Sequence, residues 1–157
     1  MMERKYFTIE EAEKEIPHVQ KLLAKLKRLQ YRINTILDAK EILENSIEVT
    51  DEDGIEFMVQ KEVKINKEFH KLCYAFYKEL DTLNEIGCIM KDLNRGLVDF
   101  YTKFQGRIVF LCWKVGEEKI NHWHEINVGS KGRKKIVDIS KKIKIEKTYK
   151  RIQQFRE

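Results

Sequence analysis

Two long rows of apolar residues, spaced at three and four positions, constrain the fold more than any other feature of the chain. The first row runs from Ile9 to Ile47 and the second from Ile55 to Ile86. This spacing places side chains on one face of an α-helix, so the sequence predicts two helices, each about 50 Å long at about 1.5 Å per residue. Pro17 interrupts the first row and either separates a short helix or kinks a continuous one.

Residues with capping chemistry stand at the ends of these rows. Thr8 precedes the first row, and Glu11 stands three residues after Thr8, which is a capping-box pattern. Thr50 or Asp51 is placed to cap the second helix, and Gly87 is placed to end it. Two such helices joined by a short acidic loop predict an antiparallel helical hairpin.

The period of the apolar residues changes after Gly87. Segments rich in β-forming residues follow, at about 88–91, 97–101, 107–115 and 120–126. The turns between them are short, which favours an antiparallel meander over parallel strands with crossover helices. Residues 108–113 are apolar on both faces, so we place that strand centrally. The predicted fold class is α+β, a long antiparallel helical hairpin packed with a small antiparallel sheet of about four strands.

The charge distribution separates a body from a C-terminal extension. Residues 130–157 hold 11 Lys and Arg against 3 Asp and Glu, a net charge of +8, whereas the net charge of the rest is −3. We therefore predict a single domain over 1–133, with the hairpin at about 8–86 and the sheet at about 87–128. Residues 134–157 form a basic extension, predicted as a helix or a tail.

Several classes of protein are disfavoured by composition. No apolar run approaches the roughly 18 residues of a membrane span, and the opening residues lack a signal-peptide core. The three cysteines are odd in number and form no CxxC pair. We expect a cytoplasmic protein with free thiols and no membrane partner.

Uncommon residues in the predicted sheet resemble the pattern of a known family. They are Gly87-Cys88, Lys91-Asp92, Arg95 to Phe100, Leu111 to Lys114, Gly116-Glu117, Trp123 to Glu125 and Gly132-Arg133, together with Phe7 to Ala12. Over residues 6 to 135 the chain resembles the domain of unknown function 2203 family. The resemblance implies a bacterial and archaeal family without an established activity. The chain departs from the pattern at Leu93, where Pro is common, and at Ser130, where an aromatic residue is common.

The segment His122-Trp123-His124 is the sharpest local signal for a site. Residues two apart in a strand share a face, so both imidazoles would project together about 7 Å apart. Histidine is a common metal ligand, and carboxylates or a thiolate from neighbouring strands would complete a site. The candidate ligands are His122, His124, Asp99, Cys112 and Asp92, and zinc fits their mixed donors best. The alternative is two polar side chains on a solvated strand, with Trp123 packed inward.

Two catalytic interpretations use the same residues. Asp92 and Asp99 flank a turn and would act as an acid and base pair if they met across the hairpin; otherwise they accept hydrogen bonds from local amides. Cys112 would be a nucleophile if its pKa were depressed, with His124 as its base; otherwise it is a small buried apolar residue. Hydrolysis by metal-bound water is an extension of the metal hypothesis.

Basic residues near the C-terminus suggest two further kinds of site. Arg133 follows a Gly-containing loop and is a candidate anion-binding residue. The extension is a candidate nucleic-acid arm, with Lys134, Lys135, Lys141 and Lys142 as contacts, or else an amphipathic helix packed on the hairpin.

The leading functional hypothesis is a small binding protein with a polar, metal-binding pocket on its sheet. One alternative is an interaction module that forms a homodimer or higher oligomer through the long helices. The other is a nucleic-acid accessory protein that acts through its basic extension. Fold-level analogy does not decide among the three.

Overall fold

The computed structural model describes residues 3–46 and 51–136 of the chain. Two helices come first, and a run of short strands follows. The elements are α1 (Ile9–Ser46), α2 (Glu52–Ile86), β1 (Cys88–Asp92), β2 (Leu97–Phe104), β3 (Arg107–Lys114), β4 (His122–Glu125), a single 3₁₀ turn (Ser130–Gly132) and β5 (Lys134–Lys135). The predicted α+β class is confirmed.

The helix ends lie where the capping residues predicted them. Thr8 Oγ1 accepts a hydrogen bond of 3.1 Å from the Glu11 amide, so α1 starts directly after Thr8. Asp51 Oδ1 accepts one of 2.7 Å from the Gly54 amide and caps α2, whereas Thr50 lies outside the described residues. Gly87 has a φ of +102° and ends α2, as expected of a residue that enters the left-handed region without strain.

Both helices are long and run antiparallel. Lys25 Nζ lies 3.0 Å from Glu79 Oε1, and Arg32 Nη2 lies 3.3 Å from Glu68 Oε1. Residue numbers therefore rise along α1 as they fall along α2, which confirms the hairpin. Pro17 lies inside α1, which is one continuous helix, so the separate short helix is excluded. Because the ion pairs are exposed, each contributes little to stability.

Part of α2 exposes apolar side chains at helical spacing. Ile55, Val59 and Val63 are about half exposed and stand four residues apart, on one side of the helix. Tyr74 and Tyr77 are also largely exposed. Oligomerisation through the helices stays a prediction.

The sheet has five antiparallel strands in the order of the chain, β1 to β5. The sequence predicted that β3 is a central strand, and β3 is the middle strand of the sheet. One strand was not predicted: β5 contains only Lys134 and Lys135, which pair with Trp123 and His122 of β4. Two residues are too few to show a period, so the expected count of about four was one short.

Alternation along the strands gives the sheet an apolar face and a polar face. On β2, Val98 and Phe100 are fully buried on one face, and Phe7, just before α1, contacts Phe100 edge to face at 5.1 Å. Asp99 points to the other face, where its partner across the β2–β3 ladder is Cys112. We call this second side the polar face.

The chain divides into two compact units. Among the described residues, the sheet unit combines 3–23 with 82–136, and the hairpin unit combines 24–46 with 51–81. All the described candidate site residues belong to the sheet unit. The domain limits drawn from the charge distribution stay a prediction.

Neither described helix combines the length and the apolar character that crossing a bilayer requires. All three cysteines are free thiols, with Cys73 partly exposed and Cys88 and Cys112 buried.

Two turn glycines provide a matched test of the sheet. Gly96 has a φ of +67°, and a Cβ there would lie 2.6 Å from Val115 Cγ2, whereas a Cβ at Gly106 (φ +78°) would have no heavy atom within 4 Å. Each change to alanine should cost about 1–2 kcal/mol for the left-handed backbone. Gly96→Ala should cost a further 1–3 kcal/mol or so from crowding against Val115. Urea unfolding measures both, and equal losses would contradict the packing described at Gly96.

Candidate metal centre

Three side chains of different chemistry converge on the polar face. Asp99 lies on β2, Cys112 stands opposite it on β3, and His124 lies on β4 opposite Phe110, two residues from Cys112. One ligand atom from each of the three lies within 4.8 Å of the other two. Across residues 3–46 and 51–136, no other group of three His, Cys, Asp or Glu side chains converges in this way.

The cluster is shielded from solvent. Asp99 and Cys112 are 0% exposed and His124 is 2% exposed. His124 Nε2 lies 3.0 Å from Asp99 Oδ2, but Asp99 Oδ1 is buried without any hydrogen-bond partner. A buried polar atom without a partner is uncommon and points to a group that completes the site.

The hydrogen bonds of His124 determine where its protons lie. Nδ1 is 2.9 Å from the carbonyl oxygen of Glu125, which only accepts, so Nδ1 carries a hydrogen and donates it. Nε2 then faces the Asp99 carboxylate at 3.0 Å. Two lone pairs at that distance would repel, so one proton is shared between Nε2 and Oδ2. A metal ion can take the place of that proton.

Burial controls the protonation of the other two groups. Loss of solvent raises the pKa of Asp99, and the nearby His124 opposes this shift only in part. Burial, followed by the negative charge of Asp99, raises the pKa of the Cys112 thiol to about 12, although Arg133 works in the opposite direction. Cys112 is therefore a neutral thiol near pH 7, which argues against the nucleophile interpretation.

His122 shares the polar face but interacts with a different set of groups. Arg133 Nη2 lies 2.5 Å from both His122 Nδ1 and Glu117 Oε1. Since a guanidinium stays protonated, it donates to Nδ1, and His122 accepts as a neutral imidazole. Burial and the charge of Arg133 lower the pKa of His122, in agreement with this assignment. The structure does not bring His122 into the group of three.

Asp92 does not meet Asp99 across the strands. Its register partner is Leu97, whereas the partner of Asp99 is Ile89. Asp92 Oδ1 accepts a hydrogen bond of 3.0 Å from the Arg95 amide, which is the local turn bond considered as the alternative. Asp92 does line the pocket that reaches Asp99.

Arg133 is held by a carboxylate of the protein itself. Its partner is Glu117, whereas Glu125 pairs with Arg107. The Nε of Arg133 is buried without a hydrogen-bond partner. Anion binding by Arg133 stays a prediction.

The candidate nucleic-acid lysines are only partly described. Lys134 and Lys135 are exposed in β5, and Lys134 Nζ lies 5.2 Å from the centroid of the Trp123 ring. Lys141 and Lys142 lie outside the described residues. Nucleic-acid binding stays a prediction.

Glu117 and Lys91 belong to the residues that resemble the family pattern, but neither was predicted as a site residue. Glu117 stands in a turn, and nothing in its surroundings marks it as the partner of Arg133. Lys91 stands in β1 with its Nζ 4.7 Å from the centroid of the Phe110 ring, and that ring is 5.4 Å from His124. Alternation along β1 was a signal for Lys91, but a register irregularity between Met90 and Asp92 obscures it.

Comparison with known protein families gives one match. The model of a family described as an uncharacterized conserved protein, DUF2203, matches residues 5–136. The chain belongs to this family. The resemblance drawn from the sheet residues is thus confirmed, and the DUF2203 region includes all three members of the cluster. No curated protein and no solved structure matches the chain.

The three cysteines should differ sharply in reactivity. At about pH 7.5 a thiol reagent such as Ellman's should react readily with Cys73 in the folded protein, because that side chain is partly exposed. Cys88 and Cys112 should react only after unfolding, since both are buried with pKa values raised to about 12. Cys73→Ser should remove the reaction of the folded chain. Rapid labelling of Cys112 in that variant would contradict the protonation state described here.

Proposed function

We propose that this protein binds a divalent transition metal, preferably zinc, through Asp99 Oδ, Cys112 Sγ and His124 Nε2. Oxygen, sulfur and nitrogen donors of this kind suit zinc, whereas magnesium and calcium select oxygen donors alone. The observation that carries the proposal is the buried Asp99 Oδ1, which lacks a partner beside a thiol and an imidazole nitrogen.

The distances in the cluster are close to those of a zinc site. With bonds of about 2.0–2.3 Å, ligand atoms of a tetrahedral site stand roughly 3.3–3.6 Å apart. Asp99 Oδ2 and His124 Nε2 are 3.0 Å apart, and all three ligand atoms lie within 4.8 Å. Side-chain adjustments of about 1 Å would therefore bring the thiol to bonding distance.

The surroundings of His124 are those of a metal ligand. A ligating imidazole commonly donates its other N–H to a carbonyl or carboxylate, which fixes the ring and its tautomer. The bond from His124 Nδ1 to the carbonyl oxygen of Glu125 has this role and directs Nε2 into the cluster.

Charge balance also favours a divalent ion. A carboxylate and a thiolate together neutralise a charge of +2, so the complex avoids the cost of an isolated buried charge. The ion must displace the Cys112 proton, since that thiol has a pKa of about 12, and the proton shared by Asp99 and His124. Affinity for the metal therefore rises as the pH is raised.

Substitutions that keep side-chain shape give the most direct test of the ligand set. The wild-type chain, purified without chelator or reconstituted with zinc, should hold about one ion per chain. Asp99→Asn and Cys112→Ser should each weaken zinc binding by more than about 100-fold, which exceeds the usual effect of losing an outer-shell contact. Competition with a chromophoric chelator measures the affinity, and circular dichroism checks the fold.

His122→Gln is the matched control, because the glutamine oxygen can still accept from Arg133. This variant should keep the wild-type affinity within about 10-fold. Failure of the folded wild-type chain to bind zinc, or full affinity in Asp99→Asn, would contradict the proposal.

A further inference from the structure

A pocket of about 280 Å³ opens beside the cluster. Its walls come from β1, β2, β4 and the loop that follows β4. The lining residues are Lys91, Asp92, Leu97, Asp99, His124 and residues 126–130. Arg95 Nη1 donates to Ser130 Oγ at 3.4 Å and so joins this loop to the β1–β2 turn. The loop that bounds the pocket is therefore attached to the sheet both through β4 and through this hydrogen bond.

The position of the pocket determines where a metal would be open to a ligand. Asp99 and His124 line it, and Cys112 does not, so the thiol would hold the ion from the side away from the pocket. Three protein ligands leave a fourth position of a tetrahedral zinc site for water or another molecule. That fourth position would face the pocket.

The charge beside the pocket selects for an anion. Lys91 lines it with its Nζ over the Phe110 ring, and Phe110 contacts His124, so the ammonium lies on the metal side of the sheet. Asp99 and Cys112 would already balance the charge of the ion. Asp92 also lines the pocket, but the Arg95 guanidinium, which donates to Ser130 of the same lining, brings a second positive charge to this side.

We infer, on the basis of the proposed metal function, that the pocket binds a small oxyanion-bearing molecule, with one oxygen on the metal and its negative charge beside Lys91. Carboxylates and phosphate monoesters share this chemistry. A volume of about 280 Å³ lies near the lower end for small-molecule pockets, which begin at about 300 Å³. The pocket therefore has room for a small metabolite.

Cobalt makes the fourth ligand visible, since its d–d absorption responds to a change of ligand. The full chain is loaded with Co²⁺ and titrated with inorganic phosphate and, separately, with acetate at constant ionic strength. At least one of the two should change the spectrum in a saturable way. Lys91→Met should weaken binding of that anion by about tenfold, the effect of losing one charge-assisted hydrogen bond, without weakening the binding of Co²⁺.

Lys119→Met is the control, because Lys119 is exposed in the β3–β4 turn and does not line the pocket. It should bind both cobalt and the anion as the wild type does. Cobalt binding with no response to either anion would overturn this inference and leave the metal function intact. Equal weakening by both lysine variants would overturn it too, because the effect would then be one of overall charge. Failure to bind cobalt would instead remove the metal function on which the inference rests.

Discussion

The carboxylate of Asp99 is withdrawn from water in the middle of a β-sheet, and the polar face is arranged around that constraint. An ionised carboxylate without partners is too costly to bury, so it must share a proton, form an ion pair or bind a metal. His124 satisfies one of its oxygens and the second remains without a partner. The Cys112 thiol, opposite on β3, shares the same desolvated space, and the raised pKa of each group reflects the cost of charging it there.

The two faces of the sheet differ in character: one is packed with apolar side chains, and the other carries the metal-ligand candidates. Val98 and Phe100 are buried on the apolar face, where Phe7 packs against Phe100. The alternate residue Asp99 faces the other way, where a second cluster of Glu117, His122 and Arg133 is found. A shift of register by one residue would exchange these faces, so the apolar packing also holds the three metal-ligand candidates together.

Local chemistry made the helices predictable. Thr8, Asp51 and Gly87 end or begin helices because each satisfies backbone groups within a few residues, and such effects are visible in sequence. The two-residue strand β5 was missed because its pairing with β4 depends on a loop that no periodic pattern describes. The position of β3 was predictable, since only a central strand is apolar on both faces.

The type of site was predictable from the sequence, but the exact set of residues that converge there was not. Asp99, Cys112 and His124 all stood among five proposed ligands, because strand alternation and donor chemistry are readable from sequence. Strand register is not readable in the same way. The turn bond that occupies Asp92 and the Arg133 bond that occupies His122 separate these two residues from the three that converge.

We propose that one sulfur, one nitrogen and one carboxylate oxygen of this chain bind a single metal ion. X-ray absorption at the zinc edge of the reconstituted protein measures that first shell directly. We expect one sulfur at about 2.3 Å, with the remaining nitrogen and oxygen ligands at about 2.0–2.2 Å. A shell of nitrogen and oxygen alone, or one with two or more sulfurs, would contradict it.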